Sequence, residues 1–242
     1  QIILKENSFL KKVELAFNLA EKNNYLITLG IKPTRPDTGY GYIQFVEKKN
    51  SEYFKVKTFT EKPDLEIAKT FLESGDFLWN AGIFVWNVKS ILSAFEDFLP
   101  EMSQNFESCE YNTKAEAQCI DLIYPKVSKI SIDNGILEKA KNVHVIPADL
   151  GWSDLGTWNS IYENADKDHE ENASKSKYLL SYNSKGNLIK MKKNKALVID
   201  GLENYIIVDT DKALLICPRD NDQLLKEYIQ DLKTLKKGEK FL

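Results

Sequence analysis

The segment 164–177 constrains the fold most strongly, because it separates two parts of the chain that have different hydrophobic patterns. It contains almost only charged or small residues, a composition typical of a solvated linker. Before it, apolar residues at helical spacing alternate with short strand-like runs. After it, five short apolar runs follow one another at about eight to ten residues, as in a small all-β module. These runs cover 178–180, 187–191, 196–199, 205–208 and 213–216.

The pattern therefore predicts three parts. Residues 1–163 form an α/β domain with a mixed sheet, residues 164–177 form a linker, and residues 178–242 form a small β domain with a terminal helix. Short stacked strands leave edges that need covering, so we expect a homodimer through the C-terminal domain.

The composition excludes several classes of protein. A net charge of −3 shows no basic excess, so a nucleic-acid partner is not expected. No apolar run approaches the roughly 18 residues of a membrane span, and no signal-peptide pattern opens the chain. The three cysteines are an odd number without a C-x-x-C spacing, which indicates reduced thiols in a cytoplasmic protein. Neither of the two histidines has ligand spacing, so zinc is not expected.

Two aspartates, Asp149 and Asp154, follow a strand-like run that begins at Val143, in a turn-rich segment with glycines and tryptophans. A carboxylate presented at a strand end can bind a metal ion, and a small hard cation such as Mg²⁺ prefers carboxylate oxygens. The residues alone favour another interpretation, in which Asp154 is the N-cap of a helix at 155–162.

Glu61 and Lys62 stand between a strand-like run and a predicted helix. A carboxylate can accept hydrogen bonds from two adjacent sugar hydroxyls, while an ammonium group can neutralise a phosphate as a point charge. The alternative is a strand-to-helix corner that stops at Pro63, with both charges in water.

Asn80 and Gly82 interrupt an apolar strand at 78–86. A buried amide needs a partner, and an amide that donates and accepts matches a hydroxyl group. Glycine would let a sugar ring approach the backbone. A bulge-forming glycine beside an asparagine satisfied within the core is the alternative.

Four motifs in sequence order resemble the mannose-1-phosphate guanylyltransferase family. They read TGYGYI, FTEKP, WNAGIF and GWSDLGTW, and a fifth, GLENYIIVDT, is similar to that family's C-terminal β-helical domain. The motifs lie at 38–43, 59–63, 79–84, 151–158 and 201–210.

The resemblance implies the fold and the reaction. The fold would be the C-terminal part of a Rossmann-like mixed-sheet nucleotidyltransferase domain, followed by a small left-handed β-helix-like domain with a terminal helix. In the reaction, mannose 1-phosphate attacks the α-phosphorus of GTP, giving GDP-mannose and pyrophosphate with Mg²⁺ as the cofactor. The two substrates would be the partners of the protein.

The resemblance also implies roles for individual residues. Asp154 would be the catalytic metal ligand, Glu61 would bind the sugar and Lys62 its phosphate. The remaining substrate-binding residues would be Tyr40, Gly41, Asn80, Gly82 and Asp133. Asn134 departs from the family's pattern, because an aromatic residue is expected at its position.

The family's glycine-rich nucleotide loop, with its arginine and lysine, is absent from these 242 residues. The resemblance places it, together with a second metal-binding aspartate, before Gln1. The chain is therefore interpreted as a fragment that lacks the nucleotide-binding part and has no activity alone. Two alternatives stay open: a related sugar-1-phosphate nucleotidyltransferase with another base or sugar, and a non-catalytic sugar-phosphate-binding or assembly subunit.

Overall fold

The computed structural model describes residues 1–192 and 194–241. The chain forms two compact units, one of Ile3–Trp152 and one of Ser153–Leu242 with Gln1–Ile2. The first unit contains helices α1 to α5, strands β1 to β5 and a short π-helix at Asp133–Leu137. The helices are Glu6–Lys22, Leu65–Ser74, Val88–Phe98, Pro100–Glu107 and Glu116–Ile123. The strands are Leu26–Ile31, Tyr42–Val46, Phe54–Thr60, Phe77–Val85 and Val143–Pro147.

The five strands of the first unit form a mixed sheet in the order β1-β4-β2-β3-β5. β1 and β5 are parallel, and the other neighbours are antiparallel. The mixed α/β fold is thus confirmed, and the Rossmann-like arrangement of its sheet stays a prediction. The sheet closes into a barrel because Phe54 and Lys55 of β3 pair with Val145 and His144 of β5.

Strand β1 lies at the centre of the first unit and is covered on both faces. Leu26 packs with α3 and the π-helix, while Ile27 and Leu29 pack with Ala16 and Ala20 of α1. Residues of a strand alternate between faces, so a run of consecutive apolar residues requires cover on both sides. Full burial of each such aliphatic side chain contributes about 1.5–3 kcal/mol.

The two helices that follow β3 and β4 begin at polar N-cap residues. Asp64 accepts the N–H of Ile67 at 2.9 Å, and Asn87 accepts the N–H of Ser90 at 2.7 Å. Gly75 ends α2 in the left-handed region at φ +77°, where glycine has no steric penalty. These caps fix where the chain turns back towards the sheet.

The second unit contains helices α6 and α7 and strands β6 to β11. The five predicted strand runs are confirmed within about two residues, the usual uncertainty of strand ends. β6, β8 and β10 pair in parallel, as do β7 and β9, while β11 is antiparallel to β10. The helices are Trp158–Glu163 and Leu225–Thr234, the latter preceded by a 3-10 helix at Arg219–Leu224. The strands are Ala173–Ser174, Leu179–Tyr182, Leu188–Lys190, Leu197–Asp200, Tyr205–Asp209 and Leu214–Pro218.

The segment 164–177 is not a solvated linker throughout, and the first unit ends at Trp152 rather than at residue 163. Asn172 is 2% exposed, and its Oδ1 accepts hydrogen bonds from the backbone and side-chain nitrogens of Asn187. Ala173 pairs with Leu188 of β8. Polar composition is misleading at this point, because the polar groups satisfy one another inside the β unit.

The prediction of reduced thiols is wrong for two of the three cysteines. Cys109 and Cys119 form a disulfide with a Cα–Cα separation of 5.8 Å. The turn between α4 and α5 brings them together, and the spacing of ten residues does not reveal this contact. Cys217 is a buried free thiol, and burial raises its pKa. No helix within the described ranges is both long and apolar enough to cross a membrane.

Candidate functional site

Six of the seven predicted substrate-binding residues lie together at one rim of the barrel. We call this group the Asn80 cluster. It contains two glycines, an amide, two carboxylates and an ammonium group. These residues come from the loop before β2, the end of β3, strand β4 and the π-helix. Its members are Gly41, Glu61, Lys62, Asn80, Gly82 and Asp133.

Asn80 is held by hydrogen bonds on both ends of its amide. Oδ1 accepts from the hydroxyl of Thr28 at 3.0 Å and from the N–H of Gly82 at 3.1 Å, and Nδ2 donates to Oδ1 of Asp133 at 3.2 Å. Its backbone N–H donates to the carbonyl of Gly41 at 2.8 Å. These bonds use both acceptor sites of the amide and one of its two side-chain N–H groups.

Gly82 has a positive φ of +66° and lies where the pairing of β4 with β1 shifts register. The bulge interpretation of this glycine is therefore correct. It is compatible with a functional one, since bulges often redirect a side chain next to a site. Here the bulge brings the N–H of Gly82 onto the Asn80 amide.

Glu61 is not in water, contrary to the corner interpretation. Its side chain is 16% exposed, and its carboxylate pairs with the ammonium group of Lys62. Lys62 has a left-handed backbone with φ +47°, which is uncommon for a residue with a long side chain. A Cβ added at Gly41 would lie 2.5 Å from Glu61 Oε2. Glycine at position 41 therefore leaves room for this carboxylate.

Asp133 begins the π-helix, an element often found at functional sites. Desolvation raises the pKa of its carboxyl group above the ordinary 3.8, and the negative charge of Glu61 raises it further. The hydroxyl of Ser131 accepts the N–H of Asn134 at 3.2 Å. The amide of Asn134, in the position where an aromatic residue is expected, donates to Glu138 at 3.0 Å.

Two residues of the site are missed by reasoning from the sequence. Thr28 lies in β1, is 1% exposed and donates its hydroxyl to Asn80. Glu138 accepts the backbone N–H of Glu61 at 3.3 Å. A hydroxyl inside a buried apolar run was a usable signal for Thr28, because such a group needs a partner. No local signal marks Glu138.

The side chain of Tyr40 is buried beside two tryptophans, and its role in substrate binding stays a prediction. It is 6% exposed, and its ring packs edge-on against Trp79 at 5.0 Å and Trp152 at 5.3 Å. An aromatic ring next to apolar strands gains more from burial than from an exposed position.

Asp154 lies in the second unit, in the turn before α6. Its Oδ1 accepts the N–H of Gly156 at 2.9 Å. The helix is capped by Thr157, whose hydroxyl accepts the N–H of Ser160, so the cap interpretation of Asp154 is wrong. A Cβ at Gly156 would collide with Asp154 Oδ2, so glycine leaves this carboxylate its space.

A metal ion would find few protein ligands here. Across 1–192 and 194–241 no group of three or more His, Cys, Asp or Glu side chains is placed to hold one. Mg²⁺ usually takes only one or two carboxylates, with phosphates and water completing its shell, so a single Asp154 fits that donor set. Asp149 pairs with Lys5, whose hydrogen bond and charge hold the pKa of this carboxyl group below 3.8. It is thus a surface ion-pair residue.

By its fold and its site, this chain is an α/β protein. One rim of its mixed sheet carries an amide, carboxylates and an ammonium group. The chain belongs to the nucleotidyl transferase family, which matches residues 2–171.

The chain is also similar in sequence to individual proteins, among them two mannose-1-phosphate guanylyltransferases. The chain is 33% identical to mannose-1-phosphate guanylyltransferase from Salmonella muenchen, over 98% of this chain and 50% of that protein. It is 30% identical to mannose-1-phosphate guanylyltransferase from Escherichia coli, over 95% of this chain and 50% of that protein. The chain spans about half the length of these curated relatives.

The same fold occurs in a crystal structure of mannose-1-phosphate geranyltransferase from Thermus thermophilus. The two match with a TM-score of 0.83 at 23% identity, over 96% of this chain and 67% of that one. The similarity covers both units.

Proposed function

We propose that this chain provides the sugar-binding and metal-binding part of a mannose-1-phosphate guanylyltransferase. The reaction transfers GMP from GTP to mannose 1-phosphate and releases pyrophosphate. The Asn80 cluster is the observation that supports it, because it combines hydroxyl-binding groups with a phosphate-binding cation. The names of the two guanylyltransferase relatives support the choice of substrates.

The sugar ring would bind against Asn80 and Glu61. The second N–H of Asn80 Nδ2 has no acceptor among the described side chains, and an amide N–H in this position suits a sugar hydroxyl. The half-buried carboxylate of Glu61 would accept two neighbouring hydroxyls, and its bidentate geometry would select their relative orientation.

The phosphate of the sugar would bind at Lys62. Its side chain is 60% exposed, so the ammonium group can exchange its partner, Glu61, for a phosphate oxygen. In the reaction a phosphate oxygen of mannose 1-phosphate attacks the α-phosphorus of GTP, and the pyrophosphate leaves with the bond's electron pair. The protein's task is mainly to position the reactants and to balance their charge.

Asp154 would hold Mg²⁺ together with phosphate oxygens of the substrates. A bound Mg²⁺ would neutralise the negative charge that develops on the transferred phosphoryl group. Because Mg²⁺ takes only one or two carboxylates, the loss of one of them in Asp154→Asn is expected to abolish activity rather than to change specificity.

The remaining assignments follow from the family. The parallel pairing of β6, β8 and β10 supports a small left-handed β-helix-like C-terminal domain, whose strand edges a homodimer would cover. A cytoplasmic location agrees with nucleotide-sugar synthesis.

A pyrophosphate-release assay tests the proposal. It compares the 242-residue chain with the full product of its gene, with GTP and mannose 1-phosphate, with and without Mg²⁺. We expect the full product to release pyrophosphate only with Mg²⁺, and the chain alone to release none.

The same assay separates the alternatives. Activity with another nucleotide or sugar phosphate only would identify a related transferase. Binding of mannose 1-phosphate without pyrophosphate release from any nucleotide would identify a non-catalytic subunit, and retained activity in Asp154→Asn would refute the metal assignment.

A further inference from the structure

A cavity of about 430 Å³ opens in the first unit. It lies between α3 and the segment that follows the π-helix. Three lysines contribute to its wall, and we call it the lysine cleft. The side chains that matter here are Lys89, Lys139, Lys141, Ser93, Asn24 and Asp97.

The lysine cleft carries excess positive charge. None of the ion pairs formed within the described part of the chain includes Lys89, Lys139 or Lys141. The wall contains one carboxylate, that of Asp97, against three ammonium groups. Like charges that share a concave surface repel one another, and an anion between them relieves that repulsion.

The lysine cleft is separate from the Asn80 cluster. Asn24 and Asn142 in its wall lie just before the first residues of the parallel strands β1 and β5. Asn80 pairs with Gly30 near the other end of β1. Gly30 lies four residues beyond Leu26, the first residue of β1, which corresponds to about 13 Å of strand at the usual rise.

We infer that the lysine cleft binds a phosphorylated small molecule. Lysine ammonium groups bind phosphate as mobile point charges, and Ser93 and Asn24 add a hydroxyl and an amide to the same wall. The carboxylate of Asp97 would repel a bare anion but accept a hydrogen bond from a hydroxyl. The ligand class is therefore a phosphate ester that also bears hydroxyl groups, and the volume lies in the range of small-molecule sites.

This inference does not depend on the proposed function. The probe is ribose 5-phosphate, titrated into the ¹⁵N-labelled chain and followed by amide chemical shifts. We expect saturable shifts at residues 89–97 and 139–142. The double variant Lys139→Gln with Lys141→Gln should weaken this binding about tenfold or more, because it removes two charge-assisted hydrogen bonds. Lys89→Gln should weaken it in the same direction.

Two matched controls make the result decisive. Lys48→Gln with Lys49→Gln removes the same charge from a loop outside the lysine cleft and should leave the affinity unchanged. Lys62→Gln removes the cation of the Asn80 cluster and should leave the saturable shifts at residues 89–97 unchanged. The inference is overturned if these controls weaken binding as much as the cleft variants, if the cleft variants have no effect, or if residues 89–97 and 139–142 do not shift.

Discussion

The hydroxyl of Thr28 lies 3.0 Å from Oδ1 of Asn80, and the two residues are 52 positions apart in the sequence. Thr28 is 1% exposed and follows Ile27 and precedes Leu29 in the buried strand β1. It fixes which way the Asn80 amide points, and thus directs Nδ2 to Asp133. Thr28 is therefore a positioning residue for the Asn80 cluster.

Thr28→Val should disorder that amide. The variant keeps the shape of the side chain but removes one hydrogen bond, at a cost of about 1–2 kcal/mol in the free energy of unfolding. In a calorimetric titration, we expect mannose 1-phosphate to bind more weakly to Thr28→Val than to the wild type. Thr28→Ser keeps the hydroxyl, so it should retain stability and bind with an affinity within about twofold of the wild type. Equal affinities in the Thr28→Val variant and the wild-type protein would contradict the positioning role.

Gly41→Ala should displace the carboxylate of Glu61. The added Cβ would lie 2.5 Å from Oε2 of Glu61, at the far end of a flexible side chain that can move. Stability should therefore change by less than about 1 kcal/mol, while the affinity for mannose 1-phosphate falls. Gly39→Ala is the matched control, since its Cβ would contact only Asp37 Oδ1, at 3.1 Å. A similar loss of affinity in both variants would argue against this mechanism.

Asp133 should make stability depend on pH. Its pKa is raised in the folded state above 3.8, so above pH 3.8 the folded state holds its proton more tightly than the unfolded state does. The stabilising contribution of the protonated carboxyl is complete below pH 3.8 and is lost as the pH rises through the folded-state pKa. Urea unfolding of wild type and Asp133→Asn should show the wild type losing stability relative to the variant over this window. A constant difference would disprove the shift.

Removal of the Cys109–Cys119 disulfide should destabilise the first unit. A disulfide that closes a loop of this length restricts the unfolded chain and so raises the free energy of unfolding by about 2–3 kcal/mol. Reductant should lower the unfolding midpoint of the wild type but not of Cys109→Ser with Cys119→Ser. Two free thiols at these positions in the oxidised protein, detected by alkylation and mass spectrometry, would refute the bond.

The sequence allows prediction of those features that depend on neighbouring residues. The five short strands of the second unit and the bulge at Gly82 follow from local pattern. Of the candidate site residues, Asn80 and Glu61 are predicted through motifs, while Asp133 lies outside the five motifs and is predicted from its resemblance to a family acid.

Features that depend on distant residues could not be predicted. Glu138 meets Glu61 across 77 positions, and β3 closes the barrel onto β5 across about 90. Composition also misleads where polar groups pair with each other. Asn172 lies in a segment whose composition is typical of a solvated linker, yet it is buried because Asn187 and the carbonyl of Ser184 satisfy its amide.

The central claim is that the Asn80 cluster binds the sugar of mannose 1-phosphate, and calorimetric titration of Glu61→Gln tests it most directly. This change keeps the size of the side chain but removes the carboxylate that would accept hydrogen bonds from two hydroxyls. The affinity for mannose 1-phosphate should therefore fall about tenfold or more. Glu110→Gln, at an exposed position, is the matched control and should bind like the wild type. Saturable binding to the wild type that is weakened only in Glu61→Gln supports the claim. No binding to the wild type, or equal affinity in all three proteins, contradicts it.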